Sequence, residues 1–311
     1  KALESFFSLR TAATFFAALL STYMFFTLFQ IDWASITDTL GSLDIGKYFI
    51  ALISYYASFL FRGMRWKIIA NNASQTEKLG AHSSKVPNKI PIGMTNLRST
   101  TLILCGWFVN SLIWLRLGDA YRAYCLGVIS KLGFPWALGT LVAERVLDMV
   151  IIFVAILFSI MMFSSGVQIP VVQILMILTT MITLLLFGFI LLLLYGDNRV
   201  ISFIPTRAQP HYSKFKTGVL KSFKNIAFIT GLGLLAWFME STRMFFVIES
   251  LGIEIPVYLI ILASMGNAVL STFPTPGGIG FVEPGLTGIL LISVTSSDAA
   301  SVALLDRSIT Y

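Results

Sequence analysis

Long apolar runs separated by short polar stretches dominate this chain. A bilayer core of about 30 Å needs close to 20 apolar helical residues. Runs of that kind lie at 11–31, 45–62, 135–164, 171–195 and 226–250, and another starts near 298. The last is still helical in pattern at Tyr311, which predicts that more protein follows. The first run is long and no small-residue cleavage site follows it, so it reads as a span and not as a secretory signal. Two further apolar stretches are interrupted. Residues 99–113 are short and lie between Arg98 and Arg116, and residues 255–295 contain Phe273-Pro274-Thr275-Pro276-Gly277-Gly278-Ile279-Gly280. No helix runs through that second sequence without losing backbone hydrogen bonds.

Charge orients the runs. With a cytoplasmic N-terminus, all of the 22 Lys and Arg residues except Lys47, Arg243 and Arg307 fall on the inner side. Asp32, Asp38, Asp44, Glu249, Glu254 and Asp298 fall outside. This satisfies the positive-inside rule on one condition: both interrupted stretches must enter and leave on the same side. Segment 99–131 then dips in from the cytoplasm and segment 255–295 from outside. The expected fold is an all-α polytopic membrane protein with about six full spans and two re-entrant helical hairpins. Residues 1–164 form one half and 165–311 an inverted second half, together one transmembrane domain. Inverted repeats with broken elements at matching positions are a transporter design. The basic stretches 63–98 and 197–224, with spaced apolar residues, read as cytoplasmic segments lying on the membrane surface.

Composition narrows the class. The chain is 56% hydrophobic and 12% charged, about half the charge of an average soluble domain. The net charge of +7 does not point to nucleic acid, because the cations flank apolar spans. Cys105 and Cys125 have no metal-like or disulfide-like spacing, and His82 and His211 stand far apart. No HxxxH pair, GxSxG elbow or phosphate-binding P-loop is present. No metal and no cofactor are expected.

Four polar clusters carry the candidate chemistry. In the first, Asn110 sits in an apolar stretch, Gly118 permits a turn, and Asp119 can cap a helix beginning there. Arg116 and Arg122 flank that helix start, an arrangement suited to phosphate or carboxylate. In the second, Glu144 and Asp148 share a helix face, and Arg145 and Asp148 can pair three residues apart. In the third, Glu240 and Arg243 lie mid-span, where a charge costs about 3 kcal/mol in lipid, so a polar cavity is expected around them. The fourth runs from Asn267 through Pro274, Pro276, Gly277 and Gly278 to Glu283. Its prolines end a half-helix, and its glycines allow positive φ and close backbone approach.

These clusters, in this order, resemble the flippase-like membrane family named after the transmembrane region of lysylphosphatidylglycerol synthase. The resemblance rests on Arg65-Trp66, on Asn110 with Arg116-Leu117-Gly118-Asp119 and Arg122, on Glu144-Arg145 with Asp148, on Pro274 to Gly280 with Glu283, and on a late Arg307. It spans about 5–311. Trp114 stands where the family usually has proline, and Pro284 after the acid is atypical. The resemblance implies lipid translocation, of an aminoacylated phospholipid in the best-known type, with relatives in glycolipid or polyprenyl-phosphate pathways. The expected partners are membrane lipids and a separate lipid-modifying synthase, with a homodimer left open and no nucleic acid. The expected location is the plasma membrane. Two other readings stay open: a membrane-embedded enzyme acting on a lipid phosphate, and a scaffold or regulatory subunit of a lipid synthase. A closed, fully packed interior would favour the scaffold.

Overall fold

A computed structural model of the chain describes residues 27, 33–74, 93–162, 170–195, 197–273 and 275–311. The expected span 11–31 lies outside the described residues, apart from Thr27, as do 75–92 and Pro274. Among the described residues the regular structure is helical. In chain order the helices are α1 (Trp33–Gly41), α2 (Ile45–Ala73), α3 (Asn96–Leu112), α4 (Leu117–Ser130), α5 (Phe134–Met161), α6 (Pro170–Tyr195), α7 (Asp197–Phe203), α8 (Gln209–Leu220), α9 (Ile226–Ser250), α10 (Val257–Leu270), α11 (Val282–Leu290) and α12 (Ser296–Thr310).

Helices α2 and α9 form an antiparallel pair along most of their length. Asp44 caps α2 by accepting from the backbone N–H of Gly46 and Lys47. The same turn is tied to the end of α9, where Asp44 N–H donates to Ser250 O at 2.8 Å and Lys47 pairs with Glu249 at 2.9 Å. Further along, Arg62 meets Glu240. At the other end Asn72 Nδ2 donates to Lys224 O at 2.6 Å. Gly233 makes room for the Arg65 guanidinium, since a Cβ there would lie 2.6 Å from Arg65 Nη1. α2 therefore runs past the expected span end at 62. Residues 63–73 continue the helix instead of lying on a membrane surface, because Arg65 finds buried partners and has no need to leave.

Helices α3 and α4 fold back on each other. Gly118 of α4 sits so close to α3 that a Cβ there would collide with the Gly106 carbonyl, and Gly93 and Ile129 are neighbours at the open end. Helices α10 and α11 do the same, with Gly285 against Leu270 and Gly266 against Ile289. The lengths are 17, 14, 14 and 9 residues, or about 26, 21, 21 and 14 Å at 1.5 Å per residue. α5, with 28 residues, runs from the open end of the first hairpin, where Gly127 packs on Gly133, to the open end of the second, where Ser159 Oγ donates to Tyr258 O at 2.6 Å. The two hairpins thus open at opposite ends of α5.

The outer elements follow from small residues and apolar faces. In the 197–224 region, α8 docks on the first turns of α5 through Gly218 and Gly139, where a Cβ on either would strike backbone. α1 packs on α12 through Ile36 and Ala300. α6 presents Ile177, Met181, Leu184, Leu185 and Phe187 outward. By length and composition, Val172–Tyr195 and Ile226–Ser250 can cross a bilayer.

The Gly106–Gly118 contact makes a specific prediction. Gly118→Ala should lower the melting temperature of the purified protein markedly, because overpacking against backbone typically costs about 1–3 kcal/mol. Gly231→Ala on α9, where an added Cβ meets nothing within 4 Å, should be neutral or stabilising by up to about 1 kcal/mol. Equal melting temperatures for the two variants would contradict this packing.

Candidate functional site

The charges of α2, α4, α5, α9, α11 and α12 converge in three connected clusters. In the first, Glu144 and Asp148 stand one helical turn apart on α5 and face α2. Arg65 lies between them, its Nη2 donating to Asp148 Oδ1 at 2.8 Å and Glu144 Oε1 at 3.3 Å. Glu144 Oε2 accepts from Arg122 Nη2 at 2.9 Å, and Asp148 Oδ1 also accepts from the Trp237 indole at 3.1 Å. Arg145 leaves α5 in another direction and donates to both oxygens of Asp119, at 3.1 and 3.2 Å.

The second cluster is centred on Glu240 of α9, which takes Arg62 at 3.0 Å and Arg243 Nε at 3.2 Å. Arg243 Nη1 also pairs with Asp306 of α12, whose other oxygen accepts from Asn267 Nδ2 at 3.1 Å. In the third, Arg307 Nε pairs with Glu283 at 2.9 Å and its Nη1 donates to Gly277 O at 3.2 Å. Glu283 also accepts from Gly280 N–H at 2.7 Å. Four of the arginines rest on aromatic faces: Arg62 on Trp237, Arg122 on Trp66, Arg243 on Tyr55 and Arg307 on Tyr311. A weakly hydrated guanidinium over a ring loses less on leaving water than an ammonium would.

The hairpin tips meet at this site. Arg116 at the first tip donates from Nη1 to Ser271 O, at the end of α10, at 2.9 Å. Phe273 and Phe281 stack at 4.3 Å and bracket the second tip. Between the tips and the α2–α9 pair lies a cavity of about 180 Å³. Its wall grades from buried to open: Arg122, Glu144, Asp148 and Arg243 are at most 5% exposed, whereas Arg116, Asp119 and Arg145 are 25–33% exposed.

Residues 12–311 match the family described as the lysylphosphatidylglycerol synthase transmembrane region. The chain belongs to that family. It is 28% identical over 213 residues to a UPF0104 membrane protein of Methanocaldococcus jannaschii, covering 66% of this chain and 88% of the relative. Over 92 residues it is 33% identical to a UPF0104 membrane protein of Methanothermobacter thermautotrophicus, 29% of this chain and 28% of the relative. It is also 24% identical over 342 aligned positions to glycosyltransferase AglD of Haloferax volcanii, covering 95% of this chain and 52% of the relative. No solved structure matches the chain.

Within this family member, the cavity wall contains Asn110, Arg116, Asp119, Arg122, Glu144, Arg145, Asp148, Glu240, Arg243, Asn267, Gly277 and Arg307. Four other candidate residues stand behind it. Arg65 is fully buried against the α5 carboxylates. Pro276 O accepts from the Tyr311 hydroxyl. Gly278 is buried against Ser271 and Val282, and Glu283 holds Arg307.

Several sequence expectations are corrected. Gly118 does not make the first turn. Leu115 and Arg116 do, at φ 63° and 53°, and Gly118 instead allows α4 to approach α3. Asp119 does not cap α4. The N–H of Gly118 is taken by Asn110 Oδ1 at 2.8 Å, which leaves Asp119 free for three arginines. Arg145 pairs with Asp119 and not with Asp148, because Asp148 points toward α2. In the Pro-Gly-Gly turn the N–H groups of Gly278, Ile279, Gly280 and Phe281 are all bonded within the turn. Substituting Gly278 would therefore strain the turn itself, at φ 80° and with Val282 2.8 Å from the new Cβ.

Arg62, Asp306, Tyr55, Trp107 and Trp237 were missed by the sequence reading, and Thr275 entered it only as part of the second interruption. Asp306 gave the same signal as Glu240, an acid in an apolar run. Arg62 closes the apolar run 45–62, the usual position of a charge that ends a span. The aromatic residues gave no signal in a chain that is 14% aromatic.

Removing one member of a buried ion pair typically costs about 3–5 kcal/mol, because it strands the other charge. Arg65→Met, which leaves Glu144 and Asp148 without their shared partner, should therefore lower the melting temperature severely. Arg145→Met at the partly exposed pair should lower it far less. Thermal unfolding of both proteins in the same detergent checks the ranking.

Proposed function

We propose that this chain moves lipids with an anionic head group between the leaflets of the plasma membrane, with the head group passing through the charged cavity. The observation that carries this reading is the position of the cavity. It lies where two short hairpins, open at opposite ends of α5, bring their tips together. Each hairpin helix is shorter than a bilayer core of about 30 Å, which supports re-entrant hairpins in a protein whose long helices span. A small polar cavity bordered by apolar outer faces lets a head group enter while its chains stay in lipid. The scaffold reading does not call for such a cavity.

The contacts also support an inverted repeat of 1–164 and 165–311. α2, the first hairpin and α5 correspond to α9, the second hairpin and α12. Arg145 to Asp119 in one half corresponds to Arg307 to Glu283 in the other. Arg65 to Glu144 corresponds to Arg243 to Asp306. The end of the molecule with α8, Lys67 and Lys131 is the basic one, and the end with Asp44, Glu249 and Asp298 is acidic. This favours a cytoplasmic first-hairpin opening and N-terminus.

The AglD relative favours a second reading, in which the chain serves a lipid-linked glycosyl transfer. The purified protein in vesicles separates the two. Fluorescent anionic phospholipids and polyprenyl-phosphate lipids should exchange between leaflets faster than in empty vesicles, and no lipid should change covalently. Unaccelerated exchange across all these head groups, or a covalently altered lipid, would transfer support to the enzyme reading. Cysteines placed at Arg98 and Lys131 should label from one side, and those at Glu254 and Asp298 from the other. Opposite-side labelling of Arg98 and Lys131 would remove the re-entrant first hairpin.

A further inference from the structure

We infer that the cavity is built for a bare phosphate head group, one without a bulky or cationic substituent, and that Arg307 and Thr275 hold it at the second hairpin tip. This rests on the translocation reading for its lipid context, and on the charge, donors and volume of this site.

Six guanidinium groups and four carboxylates border the cavity. Directly behind it stand Arg65, Asp306 and Glu283, which bring the set to seven cations against six anions. The site as a whole is one negative charge short, and its innermost layer is two short. A phosphate monoester carries −1.5 to −2 near neutrality and suits both layers. A head group that adds an ammonium cancels that charge and meets an excess of arginine.

Arg62 Nε and Arg122 Nε are unpartnered on the inner wall, and two further unused donors, a guanidinium and a hydroxyl, stand together at the second tip. Arg307 commits Nε to Glu283 and Nη1 to Gly277 O. Its Nη2 is buried and has no partner, and neither does the buried Thr275 Oγ1 two residues before Gly277. Native structures rarely leave a buried donor unpaired. Both residues border the cavity, and Arg116 stands across the tip, bonded to Ser271 O. An anion with several acceptor oxygens satisfies all three at once. The N–H groups of Gly278, Ile279, Gly280 and Phe281 are already bonded, which leaves these side chains as the main donors.

Volume sets the third limit. Pockets for drug-sized ligands are typically 300–1,000 Å³, and this one is about 180 Å³. That volume matches a phosphate with a few waters, so a sugar or an aminoacyl-glycerol would have to lie outside it, on the open side of the wall.

The test measures binding to the purified protein in detergent by thermal shift and by equilibrium competition. The probes are farnesyl phosphate, short-chain phosphatidic acid, inorganic phosphate, lysyl-phosphatidylglycerol and a sugar-linked farnesyl phosphate. The two phosphate-headed lipids should bind at least tenfold tighter than the aminoacylated and glycosylated ones. Inorganic phosphate should compete weakly if the lipid is the natural source and as strongly as the lipids if free phosphate is. Thr275→Val and Arg307→Gln should each weaken phosphate-lipid binding about tenfold, whereas Thr275→Ser should restore it. If Arg307→Gln does not fold, the Thr275 pair carries the test alone. Equal or tighter binding of the aminoacylated or glycosylated lipid, or unchanged affinity in Thr275→Val, overturns the inference. Transport of a bulky lipid in vesicles would overturn it while leaving the translocation reading standing. Phosphate-lipid binding without transport would do the reverse.

Discussion

The requirement that every buried guanidinium be paired organises this molecule. Arg65 is fully buried among apolar helices and survives there only because two carboxylates on α5 share it. Such pairs add little net stability compared with apolar residues of the same size, yet breaking one is costly. Their physical effect is therefore on register. α2 can slide neither along α5 nor along α9 without stranding Arg65 or Arg62. Once that register is set, Asp44 and Lys47 meet the end of α9, and Asn72 meets the turn before it. The cavity between the helices is a by-product of the same constraint, because bulky charged pairs hold the surrounding helices apart at that depth.

Close backbone approach lets the short elements dock around this charged centre. A nine-residue helix such as α11 buries little surface of its own, and in lipid no hydrophobic effect drives helices together. Small residues replace that driving force with close packing. Gly118 sits on the Gly106 carbonyl, Gly218 on the Trp136 carbonyl, and Gly63 on the Thr100 backbone. Two of these contacts lie beside charged residues: Gly118 beside Asp119, and Gly63 between Arg62 and Arg65. Tight packing next to the ion pairs keeps water and lipid from competing for them.

The sequence carried the architecture further than the contacts. Apolar run lengths located α5, α6, α9 and the start of α12 to within a few residues, because hydrocarbon thickness is a strict ruler. The two interruptions located both hairpins. Mid-span charge located Glu240 and Arg243 for the same energetic reason. Partner choice was not legible. Arg145 and Asp148 are three apart and sequence spacing pairs them, but helix rotation sends Asp148 to Arg65 and Arg145 to Asp119. The first turn was misplaced because two non-glycine residues, Leu115 and Arg116, adopt positive φ. Such a conformation is unfavourable for each alone and persists because Arg116 gains a partner across the tips. Arg62 was hidden because a charge at the end of an apolar run is ordinarily the end of a helix, and here the helix continues.

The two tips differ in a way that bears on movement. The first presents a guanidinium. The second presents carbonyls, with Ser271 O taken by Arg116, Gly277 O by Arg307 and Pro276 O by Tyr311. A phosphate oxygen is a stronger acceptor than a neutral carbonyl, since charge-assisted hydrogen bonds are about twice as strong as neutral ones. An entering anion therefore competes directly with Ser271 O for Arg116. If the anion wins, the polar bond between the tips is broken by the ligand itself. Leu115 and Arg116 are then released from the contact that holds them in the left-handed region, and relaxation of that strain favours the separated state. Under the proposed translocation, head-group binding and hairpin separation are thus a single exchange of hydrogen bonds. Departure of the anion returns Arg116 to the carbonyl and the tips to contact, so the closed arrangement is the one expected with the cavity empty.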